Sequence, residues 1–139
     1  MKKVQAVVSV LLIASAAVGI EVLRTDGWLW SGAPLHAYGL IAFVALDLLL
    51  AGISWRVTRL AIIGSALFGG IQFIAMVGDV FMGQPAGIPA AVWESYLLGD
   101  TPFMVLLGIQ MVIIAWAILS TRIIANRMPE AGLAVRTSR

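Results

Sequence analysis

The chain has 139 residues, of which 61% are hydrophobic and 12% charged, and its formal net charge is +2. This composition excludes a soluble domain, because a chain of this length cannot bury so much apolar surface. The absence of cysteine excludes disulfides, thiolate metal sites and iron–sulfur clusters. The basic residues form no basic face, so we expect no nucleic-acid partner.

Four apolar stretches follow one another, each close to the ~20 residues that a helix needs to cross a bilayer. They are residues 4–23, 34–55, 60–82 and 101–125. The first begins like a signal peptide but stays apolar to Leu23, so we expect a retained helix. The sequence predicts an all-α integral membrane four-helix bundle with antiparallel up-down topology. Residues 1–125 form the membrane domain, and 126–139 a cytoplasmic polar tail.

The basic residues fall almost entirely on one side of the predicted membrane. Arg24 is alone on one side, and the others lie on the opposite side: Lys2, Lys3, Arg56, Arg59, Arg122, Arg127, Arg136 and Arg139. This bias predicts a multi-pass protein of the cell membrane with both termini in the cytoplasm. The segments 24–33 and 83–100 are then the outer loops.

The two outer loops and the helix interiors carry further local signals. Within 83–100, Pro89 and Gly99 bound a run typical of a short interfacial helix. We expect an outer belt of aromatic side chains made of Trp28, Trp30, Tyr38, Trp93 and Tyr96. Close helix packing is predicted where small residues are four apart: Ser15 and Gly19, Ser65 and Gly69, Ala66 and Gly70.

Three polar residues are predicted to lie deep inside the apolar stretches. Asp47 is ~20 Å along its helix from Pro34, and Gln72 and Gln110 are ~15 and ~12 Å from the outer ends of theirs. They can share one interior layer, in which amide groups donate to the carboxyl group. The layer is either an interhelical clamp or part of a proton or ion path.

Three further polar residues lie near the outer face, one on each of the first three helices. Glu21, His36 and Asp79 are suitable ligands for a divalent metal, although no two share a helix at ligand spacing. Glu21 also has Arg24 three residues on, the spacing of a local ion pair. A complete metal shell would require Glu94 or Asp100 to fold inward.

The helical spacing places His36 and Asp47 on one stripe of the second helix, and Gln72 and Asp79 on one stripe of the third. If these stripes face each other, a polar track runs from the outer surface to the middle of the membrane. Such a track suits a quinone headgroup pocket, a proton path or a water-containing interior.

The sequence contains no catalytic motif and few intramembrane polar groups. We therefore interpret the protein as an accessory subunit of a larger prokaryotic membrane complex, such as a respiratory or other redox complex, without catalytic activity of its own. Its expected partners are membrane lipids and other integral membrane subunits, or a second copy. The alternatives are a small proton- or ion-coupled transporter and a membrane protein that binds a metal or a quinone. No cofactor is predicted outside those alternatives.

Overall fold

The computed structural model describes the backbone of residues 2–56 and 58–136, and the side chains of residues 3–56 and 62–122. Every regular element in these residues is an α-helix, and they contain no strand. The helices are α1 (Lys2–Thr25), α2 (Gly27–Gly32), α3 (Pro34–Ser54), α4 (Thr58–Met82), α5 (Ala90–Gly99) and α6 (Thr101–Arg136).

Four of these helices are long and apolar enough to cross a membrane. Over the described residues their spans are Lys3–Thr25, Pro34–Ser54, Ile62–Met82 and Thr101–Arg122. The prediction of an all-helical chain with four such helices is therefore confirmed. Helix α6 continues past its span to Arg136 and so includes most of the segment interpreted as a polar tail. Residues 137–139 lie outside the described residues.

The connection 24–33, interpreted as a loop, contains the short helix α2. It forms because the Asp26 side chain accepts a hydrogen bond of 3.0 Å from the backbone N–H of Leu29, which satisfies a free donor of the first turn. Helix α5 follows Pro89 and ends at Gly99, as the sequence indicated. Helices α2 and α5 pack over one end of the four long helices, which we call the α2/α5 end.

Glycine allows close approaches between the long helices at two of the predicted small-residue pairs. A Cβ atom added at Gly19 of α1 would lie 2.7 Å from Cγ2 of Val44 on α3, and one at Gly69 of α4 would lie 3.2 Å from Cγ2 of Ile113 on α6. Both glycines belong to the small-residue pairs that predicted close packing. Gly70 differs, because a Cβ there would meet nothing within 4 Å.

The buried residues form two apolar clusters separated by a polar layer. At the α2/α5 end, the first cluster contains Val22, Leu29, Ala33, Ala37, Met76, Val80, Trp93, Leu97, Phe103 and Leu106. The second contains Val8, Leu12, Ala51, Ile62, Ile113 and Ala117. Buried polar side chains from all four long helices lie in sequence between the two clusters, so the bundle has a polar layer midway along it: Ser15, Asp47, Gln72 and Gln110, with Ser65 also buried on α4.

Candidate functional site

The polar layer consists of one side chain from each long helix. Ser15 of α1 donates to Oδ2 of Asp47 on α3 at 2.5 Å, and Gln72 of α4 donates to Oδ1 of the same carboxyl group at 3.0 Å. Gln110 of α6 donates to the Ser15 hydroxyl at 2.7 Å. All four side chains are buried. The layer thus links four helices through hydrogen bonds.

This arrangement brings Asp47 and Gln72 into direct contact, whereas Gln110 reaches Asp47 only through Ser15. The sequence predicts Ser15 only as a small packing residue, whereas the structure places it in the layer. Both Asp47 oxygens accept hydrogen bonds, so the carboxyl group is partnered in the interior. The Oε1 atom of Gln110 is buried and has no hydrogen-bond partner among the described residues.

A second polar group lies at the α2/α5 end, where α3 begins and α4 ends. Nε2 of His36 lies 2.8 Å from Oδ1 of Asp79, and the two side chains are 22% and 31% exposed. The indole N–H of Trp93 donates to the backbone carbonyl of Asp79 at 2.6 Å. The Trp93 ring also packs edge-on against the His36 ring, with 5.3 Å between the ring centroids. Helix α5 therefore contacts the His36–Asp79 pair through Trp93.

The position of Trp93 differs from the sequence-based expectation. The sequence predicts Trp93 in an interfacial aromatic belt, but its side chain is only 1% exposed and belongs to the first apolar cluster. Burial is tolerated because its one polar hydrogen is bonded to Asp79. Trp93 stacks against Tyr96 at 5.7 Å, and the ring of Trp28 contacts both.

The Tyr96 hydroxyl joins α5 to the start of α2. It donates a hydrogen bond to Oδ2 of Asp26, whose other oxygen caps α2. Burial raises the pKa of Tyr96, and the hydrogen bond to Asp26 and the charges of Asp26 and Asp100 raise it further. The phenol is therefore protonated at neutral pH and acts as a hydrogen-bond donor.

These residues surround a cavity of about 340 Å³ at the α2/α5 end. Most of its wall is apolar or aromatic, including Phe43, Met76, Leu97, Phe103 and Leu106. The polar part of the wall consists of Asp26, His36, Asp79, Tyr96 and Asp100. Ligand sites commonly combine such a volume, an apolar wall and a few convergent polar groups.

Glu21 lies apart from this group. Its carboxylate pairs with Arg24 through bonds of 2.8 and 3.0 Å, both side chains are well exposed, and it does not line the cavity. Of the outer cluster Glu21, His36 and Asp79, the structure thus brings together only the last two. Within the described part of the chain, no group of three or more acidic or histidine side chains is placed to hold a metal ion.

Sequence reasoning missed three contributors to this cavity: Asp26, Trp93 and Tyr96. Asp26 carried a detectable signal, because an aspartate between two helical segments is a typical capping residue. The inward position of Trp93 and Tyr96 had no local signal, because it depends on how α5 folds back onto α4 and α6.

Comparison of the chain with protein-family models, with curated proteins and with solved structures finds no match. The residues of the site are therefore the evidence for its function.

Proposed function

We propose that this protein binds a small lipid-soluble molecule of the quinol type in the cavity at the α2/α5 end. The observation that carries the proposal is the cavity itself, which joins an apolar and aromatic wall to the His36–Asp79 pair. The aromatic ring of a quinol can pack against the apolar wall of the cavity. Its hydroxyl groups can form hydrogen bonds with the polar side chains of the wall.

The hydrogen-bond inventory of the wall favours a ligand that donates. His36 and Tyr96 direct their polar hydrogens to Asp79 and Asp26. The remaining capacity is that of carboxylate oxygens, which only accept when ionised, and of Nδ1 of His36. This nitrogen is buried without a hydrogen-bond partner among the described residues, and it accepts when Nε2 of a neutral imidazole carries the proton. A quinol brings two hydroxyl donors, whereas a quinone brings only acceptors. The reduced form is therefore the better match.

The charge of the wall supports the same class of ligand. Asp26, Asp79 and Asp100 line the cavity, and no lysine or arginine does so among the described residues. Such a wall repels anionic molecules, for example fatty acids or phosphorylated compounds. A neutral quinol is not repelled.

The proposal includes a threading of the chain in the membrane. Along α1, Ser9 contacts Ser54 and Ser15 contacts Asp47 of α3, so partner numbers fall as α1 numbers rise. This order supports an antiparallel arrangement of neighbouring helices. With the basic residues inside, the cavity lies at the outer face, and α5 lies along that interface.

The accessory-subunit interpretation stays a prediction alongside this proposal, since a ligand-binding subunit can belong to a larger complex. It is checked by extraction from native membranes in mild detergent. Co-migration with other integral membrane proteins supports it, and a chain that migrates alone or with copies of itself contradicts it.

Binding is tested by calorimetric titration of the purified protein with a prenylated benzoquinol kept reduced with ascorbate. The matched variants are Asp79→Asn, inside the cavity, and Glu21→Gln, an acid-to-amide change at the same end but outside it. We expect Glu21→Gln to bind like the wild type. Asp79→Asn loses a charged acceptor worth about 1.5–3 kcal/mol, which is roughly tenfold or more in affinity.

Two outcomes contradict the proposal. One is a wild-type protein that does not bind the quinol. The other is an Asp79→Asn variant that keeps its helicity and binds as tightly as the wild type. Tighter binding of the quinone than of the quinol overturns the assignment of the reduced form.

A further inference from the structure

The cavity reaches the lateral surface of the bundle between α3 and α4. Three of its lining residues are exposed: Leu35 and Gly39 of α3, and Ala75 of α4. Leu35 is 82% exposed, in contrast to Trp93 on the α5 side of the wall, which is 1% exposed. The wall is thus closed by α5 and open beside α3 and α4.

This opening lies within the apolar spans of both helices. Gly39 is five residues into the span Pro34–Ser54, ~7.5 Å along the helix, and Ala75 is seven residues before the end of Ile62–Met82, ~10 Å from it. At these depths the surface of a membrane-spanning bundle contacts lipid chains rather than water.

Two of the three exposed lining residues, Gly39 and Ala75, have small side chains or none. A Cβ atom added at Gly39 would meet nothing within 4 Å, so the space beside this glycine is empty. Ala75 on the facing helix contributes only a methyl group. Leu40 and Phe43, the next lining residues along α3, extend an apolar surface from the opening into the cavity.

We propose that Gly39 and Ala75 form a lateral opening through which the ligand enters from the bilayer, its apolar chain remaining between α3 and α4. This inference rests on the proposed quinol-binding function and adds to it. The ligand is a molecule with one long apolar chain, such as a polyprenyl chain, and the side-chain size at Gly39 determines whether that chain is accommodated. A ligand arriving from water at the α2/α5 end needs no chain and would not depend on Gly39.

The test compares two quinols with one headgroup, the first carrying a chain of several prenyl units and the second a methyl group in its place. The test variant is Gly39→Leu, which fills the opening. The matched control is Gly52→Leu, because Gly52 is exposed on the same helix, lies far from the cavity, and also has nothing within 4 Å of an added Cβ. Ala75→Leu fills the opening from the α4 side, and it is the test variant if Gly39→Leu does not fold.

We expect the wild type and Gly52→Leu to bind the long-chain quinol more tightly than the methyl quinol. Gly39→Leu should lose about tenfold or more of its affinity for the long-chain quinol, because several buried methylene groups are displaced. Its affinity for the methyl quinol should fall much less, because that ligand has no chain to place beside Gly39.

Other results overturn the inference in distinguishable ways. If Gly39→Leu binds the long-chain quinol like the wild type, the lateral opening is refuted while headgroup binding stands. If Gly39→Leu and Ala75→Leu lose the same affinity for both quinols, these residues act on the cavity as a whole. The chain is then not between α3 and α4. If the wild type binds neither quinol, the proposed function fails, and the opening with it.

Discussion

Asp47 carries a carboxyl group midway along four apolar helices, where an uncompensated charge costs at least ~2.5–3.5 kcal/mol. Ser15 and Gln72 each donate to one of its oxygens, and Gln110 orients the Ser15 hydroxyl. Each contact joins a different pair of helices. The layer therefore selects how the helices are rotated relative to one another, since any other rotation leaves a polar group in an apolar cluster.

Substitution of Asp47 separates hydrogen bonding from charge. Asp47→Asn retains an acceptor for Gln72, so we expect nearly wild-type stability. Asp47→Leu leaves the Ser15 hydroxyl and the Gln72 amide without their acceptor and should lower the free energy of unfolding by about 1–2 kcal/mol, the scale of interhelical hydrogen bonds in membranes. Thermal unfolding in detergent, followed by circular dichroism, measures both variants.

A pair of serine variants tests the hydrogen bonds of Ser15, with Ser120→Ala as the control. Ser15→Ala removes the link between Gln110 and Asp47 and should be destabilising. Ser120→Ala should be neutral, because Ser120 is equally buried but its hydroxyl has no hydrogen-bond partner among the described residues. Equal effects of the two serine changes would contradict the linking role of Ser15.

Individual helices meet where their side chains are small. Gly19 lets α1 approach α3 so closely that an added Cβ would collide with Val44, a β-branched side chain with few alternative rotamers. Helix α5 acts differently: it is short, and it is held by the bond from Trp93 to Asp79 and by the bond from Tyr96 to Asp26. These contacts place it over the cavity.

Gly19→Ala and Gly70→Ala form a matched pair of changes in two of the long apolar helices, α1 and α4. Both gain the better helix propensity of alanine. Only Gly19→Ala creates a clash, since a Cβ at Gly70 meets nothing within 4 Å. We expect Gly19→Ala to be less stable than Gly70→Ala by about 1–3 kcal/mol, the usual cost of overpacking. Denaturation in detergent measures the difference, and two variants of equal stability would show that α1 and α3 can separate without cost.

The whole molecule has two ends of different character. The end with the α3–α4 turn is a packed apolar cluster, whereas the α2/α5 end combines a cluster with a cavity and carboxylate groups. Apart from Arg24, the basic residues lie at the end with the α3–α4 turn and in the terminal segments of the chain. This asymmetry is the basis for the proposed orientation, with the cavity outside.

Orientation is measured by labelling single cysteines from outside intact cells with a membrane-impermeant reagent. The native chain has no cysteine, so each site reports alone. We expect Ser31→Cys, in α2, to be labelled, and Ser138→Cys, which lies outside the described residues, to be protected until the membrane is opened. Labelling of both sites, or of Ser138→Cys alone, would contradict the proposed orientation.

Length and hydropathy by themselves determined the helical class and the four helices long and apolar enough to cross a membrane, because a helix in lipid satisfies its backbone groups locally. Proline and glycine likewise located α5. The sequence also singled out Asp47, Gln72, Gln110, His36 and Asp79, since polar residues stand out in apolar stretches. Only the tertiary structure decided that Ser15 links Gln110 to Asp47, and that Trp93 and Tyr96 line a cavity. Those outcomes depend on the rotation of each helix and on the position of α5, which result from contacts between residues far apart in the chain.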